Sequence, residues 1–244
     1  GSLENRARLT REVLEDTHDA VGDTCAVAIR YTVDSAASPT GETNHQETLD
    51  FIEMIAEVPD LWDVNIREWR RDSMPSRFGP EASQEDLVSF VKAMTTKPVV
   101  GVGRFTSPDT MVGQIRRGVL DFIGAARPSI ADPFLPKKIE EGRLDEIREC
   151  IGCNMCVTAD ELIVPMRCTQ NATIGEEWRK GWHPEIIPAK ESDDGVLIVG
   201  AGPAGLEAAR TLGERGYGVT LAEAGSELGG RVAHEARLPG LATW

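Results

Sequence analysis

Apolar positions recur at helical spacing from residue 3 to about residue 20, through Leu9, Val13, Leu14 and Val21. Ser2 is placed to cap that helix, with Glu4 in the first turn and Asn5 at its third position. An apolar run, Cys25 to Val33, follows and reads as a buried strand. The same alternation repeats three times. A helix over 45–57 precedes a strand at Leu61–Ile66. A helix opening at Ser83, with Ser83 as its cap, precedes a strand from Lys97 to Arg104. A helix starting at Ser107-Pro108 precedes a strand from Leu120 to Arg127, and a shorter helix runs from Asp132 to Glu141. Helix-to-strand units roughly 35 residues apart predict a parallel sheet covered by helices. Such a sheet is either doubly wound or part of a barrel. Polar residues near the strand ends (Arg30, Asn65, Arg104, Arg127) favour the barrel, whose chemistry gathers at that end of the strands. Four units make half a barrel, with two open sheet edges, so the chain reads as part of a longer protein.

The pattern changes after residue 140. Cys150-Ile-Gly-Cys153-Asn-Met-Cys156 and Cys168 place four of the five cysteines within nineteen residues. Soft thiolates so spaced suit zinc or an iron–sulfur cluster. A CxxCxxC run with one remote cysteine matches the corners of a four-iron cubane better than the two separated pairs of structural zinc. Zinc, disulfides and free thiols are the alternatives. A polar stretch, residues 188–195, then leads into Val196-Leu-Ile-Val-Gly200-Ala-Gly202-Pro-Ala-Gly205. This Gly-rich turn follows an apolar strand, opens a helix, and has Glu223 on the next strand. The glycines would let a pyrophosphate approach the helix N-terminus, and Glu223 would take ribose hydroxyls. The expected organisation is 1–140 for the half barrel, 141–187 for the cysteine segment, 188–195 for a linker, and 196–244 for the start of a Rossmann-type domain.

A net charge of −14 argues against nucleic-acid partners and anionic membranes. No apolar run approaches the roughly 20 residues of a membrane span. With no export leader in view, the expected location is cytoplasmic. His18, His45, His183 and His234 show no ligand spacing and read as structural.

In this order, half barrel, cysteines and Gly-rich turn resemble the iron–sulfur branch of the old yellow enzyme flavoproteins. That branch includes trimethylamine, dimethylamine and histamine dehydrogenases and the dienoyl-CoA reductases. The likeness runs the whole length. It is carried by Gly1-Ser-Leu-Glu-Asn-Arg-Ala-Arg8, Gly101-Val-Gly-Arg104, Ala126-Arg-Pro-Ser-Ile-Ala-Asp-Pro133, Cys168-Thr-Gln-Asn-Ala172 and Gly181-Trp-His-Pro184. The CxxCxxC spacing, Trp182-His-Pro and Pro75-Ser-Arg77 point to the amine dehydrogenases, since the dienoyl-CoA reductases carry one more residue before the third cysteine.

The resemblance implies FMN on the barrel, a 4Fe-4S cluster on Cys150, Cys153, Cys156 and Cys168, and a bound ADP at Gly200, Gly202, Gly205 and Glu223. It also implies an amine substrate, electron-transferring flavoprotein as acceptor, and a homodimer. Arg30 matches the arginine beside the flavin pyrimidine, and Gly103, Arg104 and Arg127 match the phosphate grip. Asp72 matches the aspartate of a Tyr-His-Asp group; its two partners, and the cysteine that bonds the flavin, match nothing in this chain. A loop ion pair within Arg70-Arg71-Asp72 is the plainer reading of that residue. Trp69 matches one wall of an aromatic bowl for a methylated ammonium. Where a second bowl tryptophan is expected, this chain has Asp160. A carboxylate there suits a substrate with a second basic or hydrogen-bonding end, which favours histamine. An NADPH-dependent enoate reductase and a non-enzymatic electron-transfer fragment are the competing readings.

Overall fold

The computed structural model describes residues 1–33, 45–73 and 75–238. The end of the expected Rossmann segment, 239–244, lies outside them. Two compact units are present, Gly1–Gln170 and Asn171–Trp244. In the first, helix α1 (Leu3–Val21) is capped by Ser2, whose Oγ accepts from the Asn5 N–H. Strand β1 (Ala28–Val33), α2 (His45–Ile55) and β2 (Leu61–Ile66) follow. Short helices α3 (Trp69–Asp72) and α4 (Glu85–Val88) lead to β3 (Val99–Gly101) and α5 (Pro108–Arg116). Strand β4 (Phe122–Ile123), α6 (Ala126–Ala131), α7 (Leu135–Glu140) and α8 (Met155–Glu161) complete the unit.

The four strands are all parallel and lie in the order β1-β2-β3-β4. No strand order reverses, as expected of a barrel segment rather than a doubly wound sheet. Trp62, Val64 and Ile66 of β2 point to one face and are buried with Val33, Ile52, Ile55, Val88, Val91 and Val99. Each such side chain contributes about 1.5–3 kcal/mol by leaving water. The other face is polar. Arg30 lies beside Asp63 and Thr32 beside Asn65 across the β1–β2 register, and the Thr32 hydroxyl donates to Asn65 Oδ1 at 2.9 Å. Helices cover one face, so β1 alternates where a uniformly buried strand was expected.

Other expectations also shift. Ser83 does not cap the third helix. That helix begins at Glu85 and tightens into a 3₁₀ turn at Ser89–Ala93, and the buried Ser83 Oγ meets no partner among the described residues. The β-strand around 120–127 shrinks to two residues, and Arg127 falls in α6. Arg30 lies within β1 rather than at its end. The last expected helix starts at Leu135 rather than at Asp132, whose carboxylate accepts from the Phe134 N–H at 3.0 Å just before it. That carboxylate pairs with Lys138 Nζ at 2.7 Å in full burial and accepts from the Arg148 N–H, tying the end of the sheet domain to the approach of the cysteines.

The loops at the carboxyl ends of β2 and β3 are joined by Glu81. Its carboxylate accepts from the Thr106 N–H and hydroxyl, the Ser107 N–H and hydroxyl, and the Thr110 hydroxyl. Ser107 in turn caps α5, and Pro108 lies in its first turn, the helix start that the sequence predicts.

In the second unit, α9 (Glu177–Lys180) precedes the parallel pair β5 (Gly195–Val199) and β6 (Gly218–Ala222), connected by α10 (Pro203–Glu214). Helix α11 (Arg231–Glu235) follows. This is the strand–Gly-turn–helix–strand unit read from the sequence.

Burial alone would raise the Glu81 pKa, but the hydrogen bonds outweigh it and bring the carboxyl from 4.5 to about 2. A lowered native pKa stabilises the fold above the unfolded value and is lost as pH falls through the native one. Unfolding free energy should therefore drop between about pH 5 and about pH 2. Glu81→Gln should flatten that slope and cost about 1–3 kcal/mol at neutral pH, read by urea denaturation across pH.

Candidate functional site

A cavity of about 370 Å³ opens at the carboxyl ends of the strands in the first unit. It brings together Arg30, Trp69, Asp72, Arg104, Arg127 and Asp160, six residues scattered over 130 positions of sequence, with Cys156 at its edge. Gly103 lies outside the lining; its carbonyl accepts from the Ser83 N–H and so holds the turn that presents Arg104. Arg104 adopts a left-handed backbone at φ 58°, an uncommon conformation for a residue with a side chain and one that clusters at functional sites. Arg30 is not isolated: its guanidinium pairs with Asp63 at 2.5–2.6 Å. The cation expected there thus carries a carboxylate neighbour from the same polar sheet face.

Asp72 ends α3, one turn after Trp69. Its carboxylate accepts from the Ser73 hydroxyl at 2.7 Å and from Gln84 Nε2 at 3.0 Å. Those partners, rather than the adjacent arginines, orient it. Gln84 was not legible as a site residue: it sits in what reads as a helix-opening Ser-Gln-Glu-Asp segment, yet it is fully buried. Trp69 is 54% exposed and Asp160 is also exposed, so both present free surface to the cavity.

Arg127 belongs to two places. It lines the cavity, and it lines a second pocket formed by Cys150, Cys153, Cys156 and Cys168. One guanidinium nitrogen donates to the Pro75 carbonyl at 2.6 Å and to Asn154 Oδ1 at 2.5 Å. The Cys150–Cys156 loop also docks on the Pro75-Ser-Arg77 stretch, where the Arg77 N–H donates to the Gly152 carbonyl at 2.9 Å. A Cβ on Gly152 would meet the Arg77 nitrogen at 2.8 Å, and its φ is +64°, so only glycine fits.

All five cysteines are free thiols, and Cys25 lies away from the other four. Among the described residues no three His, Cys, Asp or Glu side chains are arranged to hold a single metal ion. The four pocket sulfurs nonetheless suit a thiolate-held group. Polar groups stand beside each: the Gly152 N–H by Cys150, the Thr169 hydroxyl 3.3 Å from the Cys153 sulfur, the Val157 N–H by Cys156, and the Gln170 N–H, which donates to Cys168 Sγ at 3.4 Å. Burial, and then the neighbouring sulfurs, push the Cys150 and Cys156 thiols up, while Arg127 opposes this. Thiolates gathered here would need a cationic centre between them, a demand that zinc or an iron–sulfur cluster would meet.

In the second unit Gly200 turns through φ +97°, and a Cβ on Gly205 would stand 1.9 Å from the Gly200 carbonyl oxygen. Close packing of helix on turn therefore excludes any side chain at Gly205. Gly202 is the N-cap position of α10. Glu223 accepts from the Gly225 and Ala201 N–H groups, both at 2.8 Å, and these bonds hold its carboxyl below the usual range. It is thereby fixed beside the Gly-rich turn.

Residues 1–146 match the NADH:flavin oxidoreductase / NADH oxidase family, and residues 198–243 match the NAD(P)-binding Rossmann-like domain. The chain belongs to the NADH:flavin oxidoreductase / NADH oxidase family, with an FMN domain of the TIM-barrel type. Dimethylamine dehydrogenase from Hyphomicrobium sp. (strain x) is 52% identical over 248 residues, covering all of this chain and 34% of that protein. The structure of histamine dehydrogenase from Rhizobium sp. 4-9 superposes with a TM-score of 0.91 at 60% identity, over all of this chain and 35% of the other. That of 6-hydroxypseudooxynicotine amine oxidase from Pseudomonas geniculata N1 gives 0.90 at 58% identity, over all of this chain and 37% of the other. The resemblance to amine dehydrogenases is thus borne out. The chain spans about a third of the length of these relatives. No helix among the described residues is long and apolar enough to cross a membrane.

Gly205→Ala should displace the Gly200 turn and lower ADP affinity by at least about tenfold, ~1.4 kcal/mol, by titration calorimetry of the full-length protein. Retention of wild-type affinity would mean that nucleotide does not approach this turn.

Proposed function

We propose that the chain is part of a flavin-dependent amine dehydrogenase acting on a small amine with a second polar end, histamine being favoured. Relatives that oxidise amines support the reaction class. The pairing of Trp69 with Asp160 on one cavity carries the substrate reading. FMN, when bound, supplies the two-electron oxidation of a carbon–nitrogen bond; a 4Fe-4S cluster on the four cysteines supplies a one-electron outlet toward electron-transferring flavoprotein.

The residues of this chain divide the remaining work. Trp69 offers a π face to an ammonium or a stacking surface to an imidazole. Asp160 accepts a hydrogen bond from the substrate's other end. Asp72, oriented by Gln84 and Ser73, contributes fixed negative charge beside the substrate. Arg104 and Arg127 would offer cations for the FMN phosphate, and Arg30, shared with Asp63, would supply a cation for the flavin pyrimidine. Gly200, Gly202, Gly205 and Glu223 would hold ADP rather than a reducing nicotinamide. The working protein is a homodimer in this reading.

Asp160 is exposed in this unit, so an unpartnered carboxylate there costs less than full burial would. Histamine should still be preferred over trimethylamine by about tenfold, ~1.4 kcal/mol. Asp160→Ala should raise KM for histamine and narrow that preference in the full-length enzyme. Equal turnover of both amines, or an Asp160→Ala enzyme unchanged toward either, would mean that the carboxylate points away from the substrate.

Glu223→Ala should weaken ADP retention while amine-driven flavin bleaching continues at near wild-type rate. Rapid bleaching by NADPH without amine would favour a reductase instead.

A further inference from the structure

The four cysteine sulfurs are not equivalent in what surrounds them. Cys150, Cys156 and Cys168 each receive a backbone N–H, from Gly152, Val157 and Gln170. Backbone donors follow from the loop's shape and do not depend on side-chain identity. Cys153 differs. Its Sγ lies 3.3 Å from the Thr169 hydroxyl, a side-chain contact supplied by the residue after Cys168. Cys153 is also exposed, whereas Cys156 is buried and the other two are half-buried. As a thiolate, Cys153 has no proton to give, so the hydroxyl must be the donor in that contact.

We propose that Thr169 sets the reduction potential of the iron–sulfur centre by donating a hydrogen bond to the Cys153 thiolate. The inference rests on the reading of the four cysteines given above. The reason is electrostatic. Reduction adds one negative charge, part of which falls on the cysteine sulfurs. A donor at 3.3 Å is attracted more strongly to the reduced state than to the oxidised one, so it raises the potential. No proton changes owner. Thr169 touches a ligand sulfur rather than substrate, and its effect belongs to the electron outlet and not to amine oxidation.

The test uses the full-length holoenzyme and an EPR-monitored redox titration of the centre. Thr169→Val puts a methyl group where the hydroxyl lies, which keeps water from taking its place. It should make reduction about tenfold less favourable, a fall of about 59 mV for a one-electron couple. Thr169→Ser keeps the donor and should titrate with the wild type. Thr169→Ala, which admits water to Cys153, should shift in the same direction by less. Iron and sulfide are assayed on each protein before titration. Wild-type protein with zinc and no sulfide would sink the cluster reading itself. Four irons in wild type and Thr169→Val with unchanged potentials would overturn only the Thr169 assignment. So would loss of the centre from both Thr169→Val and Thr169→Ala, because the hydroxyl would then serve assembly.

Discussion

Five hydrogen-bond donors from residues 106–110 converge on one carboxylate, that of Glu81. Much of the first unit's functional geometry depends on this clamp. It fastens the segment after β2 to the turn after β3, and those two loops carry the parts of the site. Asp72 and its partner Gln84 lie on the first, and Arg104 lies on the second. A half-buried carboxylate so fully satisfied is a rigid joint, because breaking a bond to the buried Thr106 leaves its donor stranded in a poorly solvated place.

The same segment after β2 serves as the platform for the cysteine loop. The Pro75 carbonyl takes the Arg127 guanidinium and the Arg77 amide takes the Gly152 carbonyl, so cavity and cysteine pocket share one stretch of backbone. Arg127 faces both and lies close enough to influence the Cys150 and Cys156 sulfurs electrostatically. A cation in that position favours negative charge on either side of it, whether on a phosphate in the cavity or on thiolates beyond. Its direct bond to Asn154, inside the CxxCxxC run, ties the two regions mechanically as well.

The polar face of the sheet gives the site its chemical character. Arg30–Asp63 and Thr32–Asn65 are cross-strand pairs that a packed hydrophobic interior would not tolerate, whereas the opposite face, under the helices, is uniformly apolar. The division of one sheet into an apolar face under the helices and a polar one suits a domain of the barrel type, whose chemistry gathers at the carboxyl ends of the strands.

Local signals were decisive wherever the physics is local. Ser2 and Ser107 cap their helices because a side-chain oxygen three residues before an orphan N–H lies within reach of it. Gly200 and Gly205 follow from the steric demands of a single strand-to-helix turn, and CxxCxxC from the geometry of one loop. The family resemblance added the residues that converge on the cavity, which no periodicity reveals. The tertiary structure alone decided the rest. Ser83 lost its capping role when neighbouring Gln84 was buried to hold Asp72, twelve residues away. Glu81 looks like any surface glutamate until donors some twenty-five residues later fold onto it. Arg30 gained its carboxylate through the β1–β2 register, and Thr169 its sulfur through the return of the chain to Cys153. Each of these is a polar contact between residues distant in sequence. Its stability depends on both partners being desolvated together, and only the folded chain arranges that.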